Sequence, residues 1–112
     1  MAWLITEDRV LASLEVADSV SDRVKGLLGR ESIDGALLLR PAKGVHTLGL
    51  KFPIDVAFCR KHDDGYEIVD IVTLGKHRVS RPRLRASVIV EAEAGSFERW
   101  NVRPGDIIDV RD

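Results

Sequence analysis

Ile54-Asp55-Val56-Ala57-Phe58-Cys59 is the stretch that decides the fold. Ile54, Val56 and Phe58 form one series and Asp55, Ala57 and Cys59 the other. A period of two is the mark of extended backbone, because successive side chains leave a strand on opposite faces. His62-Asp63-Asp64-Gly65 follows as a turn. Residues 66–74 then return with Ile68, Val69, Ile71, Val72 and Thr73, β-branched side chains that suit a pleated surface. The stretch 54–74 therefore predicts a β-hairpin.

Shorter apolar runs recur on both sides of it. Runs 3–6 and 10–16 flank Glu7-Asp8 and predict a second hairpin, with Val10, Ala12, Leu14 and Val16 on one face. Asp18 or Ser19 offers a helix cap, and Val20, Val24, Leu27 and Leu28 follow at helical spacing. That stripe predicts one short helix, its apolar face buried and Gly29 as its stop. Gly35 precedes Ala36-Leu37-Leu38-Leu39, a buried strand, and Pro41 and Gly44 break the chain beyond it. Residues 45–50 read as a short extended segment leading to Pro53. On the far side of the central hairpin, 87–92 predicts a strand and 95–100 a short helix packing Phe97 and Trp100 on the core. Arg103-Pro104-Gly105-Asp106 is a turn, and 107–110 a last strand. The fold class is α+β and mainly β, in a single domain over residues 1–112.

A chain of 112 residues can bury one core without metal or disulfide. With six aromatic residues, that core is aliphatic. The net charge of −1 provides no overall field for nucleic acid or anionic lipid. Locally the picture differs, because 76–85 carries Lys76, Arg78, Arg81, Arg83 and Arg85 and no carboxylate. It holds no Phe, Tyr or Trp on which bases could stack, so a solvated loop is expected and nucleic acid is a disfavoured partner. Cys59 is the single cysteine and fits a reducing compartment. No apolar run approaches the roughly 18 residues of a membrane span, and the first residues lack a basic start followed by an apolar core. The expectation is a cytoplasmic protein away from the membrane.

The order of motifs resembles the uncharacterised bacterial and archaeal family DUF192. The matching pieces are Arg23, Gly26-Leu27-Leu28-Gly29-Arg30, Ala36-Leu37-Leu38-Leu39, Pro53-Ile54-Asp55, Val90-Glu91, Ala94-Gly95 and Gly105-Asp106, spread over residues 10–110. Many members carry Trp-Met-Lys-Asn-Thr ahead of the proline, where this chain has His46-Thr47-Leu48-Gly49-Leu50-Lys51-Phe52. It looks like a His-Thr-x-Gly branch, and no role of the Lys-Asn pair carries over. The resemblance implies a compact, barrel-like, mostly β fold of antiparallel or mixed sheet with one or two short helices. It implies no activity.

The candidate site residues follow from chemistry. If the helix persists past Gly29, Arg23 and Arg30 are nearly eclipsed at the edge of the apolar stripe, with Gly26 on the same flank; if Gly29 ends it, Arg30 hangs from the first residue of the loop. A mid-helix glycine costs about 1 kcal/mol against alanine, and its missing Cβ admits another backbone or a ligand. Arginine presents a planar fork that suits carboxylate or phosphate. Asp55 and Glu91 each interrupt an apolar strand, where an unpaired carboxylate tends to hold its proton. They are candidates for internal ion pairs with Arg23, Arg30 or Lys51. His46-Thr47 sits between Gly44 and Gly49, a frame that exposes both side chains. The expected site is a polar, anion-receptive patch of Arg23, Arg30, His46, Thr47 and Lys51. Its partner would be a small anionic or polar ligand or another protein. His46, Cys59 and His62 lack zinc spacing, and no phosphate loop or nucleophile elbow is present, so neither metal nor cofactor is expected. A binding or interaction module is the leading function. One alternative is a small hydrolase or lyase using Asp55, Glu91 or His46 as acid/base; another is a weak nucleic-acid contact through 76–85.

Overall fold

The hairpin expected over 54–74 forms as two long strands in the computed structural model, which describes residues 2–112. The elements in chain order are β1 (Ala2–Thr6), β2 (Arg9–Ala17), α1 (Val20–Lys25), β3 (Ala36–Leu39), β4 (Ile54–His62), β5 (Gly65–Leu74), β6 (Val88–Glu93), α2 (Ser96–Arg99) and β7 (Ile107–Arg111). The strands close into a seven-stranded barrel in the order β1-β2-β3-β6-β4-β5-β7. Closure comes from β7, which pairs with β5 on one side and β1 on the other. Only β2 and β3 run parallel, so the chain between them must cross outside the barrel, and α1 lies on that crossover.

Two apolar clusters result. The first fills the lumen with alternate side chains of the seven strands, among them Leu4, Leu14, Leu38, Ala57, Cys59, Ile68, Val90 and Ile108. The second lies outside the barrel, where Leu37, Leu39, Ile54, Val56, Phe58 and Ile89 are covered by Leu27, Ile33, Leu50 and Ala86 from the connections. Residues 54–59 of β4 are accordingly buried on both faces. The cover is zipped together by its own hydrogen bonds. Val45 N–H donates to Ser80 Oγ at 2.9 Å and Ser80 N–H to Val45 O at 2.8 Å. The Lys43 ammonium donates to the carbonyls of Leu84 (3.0 Å) and Ala86 (2.6 Å). The expected extended segment at 45–50 amounts to a single bridge, His46 to Val79, followed by a turn.

Two expectations fail, each for a local reason. In β2 the register slips after Leu4, so that Ile5 faces Val10 rather than Leu11. Leu11 thereby packs on the lumen cluster, while Val10 turns out to solvent. The helix is shorter than its apolar spacing suggests. Ser19 caps it through Asp22 N–H, but Gly26, at φ +47°, ends it three residues before Gly29. Leu27 then turns into the outer cluster, whereas Val20 and Val24 stay 68% and 66% exposed. Gly26 is a helix stop, not a mid-helix weakness, and Arg30 does not belong to the helix.

Candidate functional site

The early stop of α1 opens a cavity between the crossover and the barrel wall. Its volume is ≈ 380 Å³. Val20, Arg23, Val24 and the turn 25–28 form one side, Leu39, Pro41, Ala42 and 44–46 the other, with Leu50 and Glu91 completing the lining. The walls are mainly aliphatic. Glu91 is the acid among them, projecting from β6 between its sheet partners Leu37 and Val56. It is 3% exposed and forms no hydrogen bond or ion pair with any described residue. Burial alone pushes its carboxyl up to about 7. A Cβ placed on Gly26 would stand 3.9 Å from Glu91 Oε1, so the glycine leaves space directly above the acid.

The structure distributes the sequence-predicted residues unevenly around this cavity. Arg23 and His46 line it. Arg23 directs its guanidinium at main-chain oxygens, donating to Asp18 O and, at 3.3 Å, to Arg40 O. Arg30 forms a bidentate pair with Glu15 at 2.6 and 3.1 Å, which holds the Glu15 carboxyl below the usual carboxylate range. Lys51 pairs with Glu31 at 2.8 Å. Thr47 is fully buried, donating to Gly75 O (2.7 Å) and accepting from Arg78 N–H (2.7 Å). It anchors the cover and presents nothing to a ligand.

Neither carboxylate expected in an internal ion pair makes one. Asp55 instead substitutes for a missing helix cap. Its Oδ2 accepts from Gly95 N–H (3.0 Å) and Phe97 N–H (3.3 Å) at the start of α2, where no side chain of that helix caps it, and Oδ1 accepts from Thr73 Oγ1 (2.7 Å). Phe97 is thereby seated in the lumen cluster, against Trp100 in an edge-on contact of 5.3 Å. Asp55 and Glu91 also fail to converge. They stand on neighbouring strands, but Glu91 pairs with Val56, one position from Asp55. Side chains alternate along a strand, so the two acids point to opposite faces of the sheet and cannot flank one substrate. His46 and Glu91 do line the same cavity. Cys59 lies in the lumen with its thiol pushed up to about 12 by burial, whereas His46 and His62, at the end of β4, are exposed.

The basic stretch 76–85 is a loop on the cover. Arg83 is its internal member, stacking over Phe58 at 4.4 Å and paired with Asp70 at 2.9 Å. Lys76, Arg78, Arg81 and Arg85 are exposed and form no ion pair among the described residues. Among the described residues, no helix is long and apolar enough to cross a membrane.

Among known proteins, the DUF192 family model, described as uncharacterized ACR, matches residues 3–110. The chain belongs to the DUF192 family. A protein of unknown function from Novosphingobium aromaticivorans shares the fold with a TM-score of 0.76 at 15% identity, covering 96% of this chain and 82% of its own. A candidate transcription regulator from Sinorhizobium meliloti matches with a TM-score of 0.73 at 26% identity, over 97% of this chain and 91% of its own. No curated protein matches. The barrel is thus a DUF192 barrel. Lys25, Leu39, Val45 and Leu50 are cavity residues that the pattern of the sequence did not single out. They meet only because two distant connections fold over the same outer face.

Proposed function

We propose that this DUF192 domain is a binding module for a small polar ligand, received in the cavity beside α1. The observation that carries the reading is Glu91, a carboxyl buried in an aliphatic wall without a partner, facing space that the chain leaves open. A buried polar group left unpaired costs roughly 1–3 kcal/mol, and a ligand that pairs it recovers that cost. Of the expected polar patch, Arg23 and His46 line this cavity, with Lys25 beside them. Thr47, Arg30 and Lys51 are engaged elsewhere in the fold and stand outside the cavity. His46 of the His46-Thr47-Leu48-Gly49 segment stands on one wall, and that segment marks a branch of the family. The single thiol, buried and with no second cysteine to pair with, suits a cytoplasmic setting.

A screen of small polar fragments followed by amide NMR shifts tests the reading. The expected result is a set of fragments whose shifts cluster on Gly26, Leu27, His46, Leu50 and Glu91. Shifts scattered over the barrel, or none in that set, would count against it.

A second reading rests on the four unpaired cations of the 76–85 loop, and gains some support from the Sinorhizobium relative named as a candidate transcription regulator. It makes the loop a phosphate-backbone contact. Binding to duplex DNA would then weaken steeply with salt, a slope near −0.9 per phosphate contacted. Binding that is absent at low salt removes this reading.

A further inference from the structure

We infer that the cavity seats its ligand by a primary ammonium group, held between the Glu91 carboxylate and the main-chain carbonyl of Arg23 in the space left by Gly26. This rests on the cavity being a binding site and goes on to name the chemistry of the occupant. The helix stop leaves both oxygens beside Gly26. A Cβ on Gly26 would stand 3.7 Å from Arg23 O and 3.9 Å from Glu91 Oε1, so both acceptors border the same small volume. Neither accepts a hydrogen bond from a described residue. The turn after α1 ties Gly26 N–H to Asp22 O and Leu28 N–H to Lys25 O, which skips Arg23 O. Glu91 has no donor among the described residues.

Acceptors without donors select for a donor-rich guest. An ammonium brings three N–H groups and the charge that an ionised carboxylate needs in a largely aliphatic site. A hydroxyl or amide would satisfy the hydrogen bonds but leave the carboxylate uncompensated. A carboxylate or phosphate at the same place would meet like charge. The chain's own cations do not fill the role. Arg23 is turned to the Asp18 and Arg40 carbonyls, and Lys25 and His46, the other titratable groups on the lining, are exposed to water and screened. Leu27, Leu39 and Leu50 supply apolar wall for the body of the ligand, so a short aliphatic amine is the minimal occupant. Burial favours the protonated acid, whereas an ammonium requires the ionised one. Affinity for the amine should therefore rise with pH across the neutral range.

The test uses two probes with the same branched aliphatic skeleton, isoamylamine and isovalerate, followed by amide NMR shifts in the wild-type protein and in Glu91→Gln. Glutamine keeps the shape and removes the charge. The expected result is that isoamylamine moves the amides of Gly26, Leu27 and Leu50, that its affinity falls at least about ten-fold in Glu91→Gln, and that it falls by about ten-fold between about pH 8 and pH 6 in the wild type. If isovalerate occupies the cavity and the amine does not, the site stands but the ammonium assignment is overturned. The same assignment fails if amine binding is indifferent to Glu91→Gln. If neither probe moves the cavity amides, the binding site itself falls.

Discussion

Replacing Glu91 by glutamine should stabilise the unliganded protein at neutral and alkaline pH and do almost nothing at acid pH. The Glu91 carboxyl is raised from 4.5 to about 7 by burial, with no donor to offset it. In the unfolded chain it ionises near its ordinary value. Below about pH 4.5 both states are protonated and the residue makes no difference to stability. Between about pH 4.5 and 7 the unfolded state gives up the proton while the folded state keeps it, so stability falls as pH rises. Above about 7 both are ionised and the loss is complete, at about 3 kcal/mol. Glutamine has no such loss. Urea unfolding followed by the fluorescence of Trp3 and Trp100 gives both stabilities at each pH. The difference between variant and wild type should grow from near zero at about pH 4.5 to about 3 kcal/mol at about pH 8, a shift on the order of 10 °C in Tm. Other titrations are common to both proteins and cancel in the difference, including Glu15, whose carboxyl Arg30 holds low. A difference that stays flat with pH would show that Glu91 is solvated or paired in solution, and the reasoning about the cavity floor would go with it.

Three further outcomes follow from the geometry. Asp55→Ala strips the amides of Gly95 and Phe97 of their acceptor and should cost about 3 kcal/mol in urea unfolding; a loss under about 1 kcal/mol would show that α2 caps itself. Gly35→Ala places a Cβ 2.4 Å from Ser13 O at φ +79°, beside the parallel β2–β3 pair, so a destabilisation of about 2–5 kcal/mol is expected, with near-neutral behaviour in thermal melts speaking against the pairing. Cys59, in the lumen with its thiol raised to about 12, should resist a thiol reagent in the native protein at about pH 8 and react at once in urea; fast native labelling would place it outside the core.

The barrel was legible where side-chain parity reports burial directly. The 54–74 hairpin, the 36–39 strand and the final strand all appear near their expected bounds. Parity was lost at Leu11, because a bulge inserts one residue without any change in composition. The Val20–Leu28 stripe misled for a different reason. Helical spacing assumes that the helix continues, and Gly26 ends it while the apolar residues carry on. Glu91 was visible as a lone acid in an apolar strand, but its isolation was not. That depends on which face of the sheet Asp55 occupies, and on register across two strands far apart in the chain. The cavity lining was illegible for the same reason, since its walls are connections that meet only after the barrel has formed.

β7 has a consequence for how the protein comes into being. It supplies the seam on both of its edges, to β5 and to β1, and lies at residues 107–111. A nascent chain leaves the ribosome from its N-terminal side, so until residues 107–111 emerge β1 and β5 must wait with open edges and an unsealed lumen. Open edges recruit other strands. The barrel is therefore vulnerable until β7 has been made, and a nonsense change ahead of β7 should yield aggregate in the cell rather than a slightly shortened barrel.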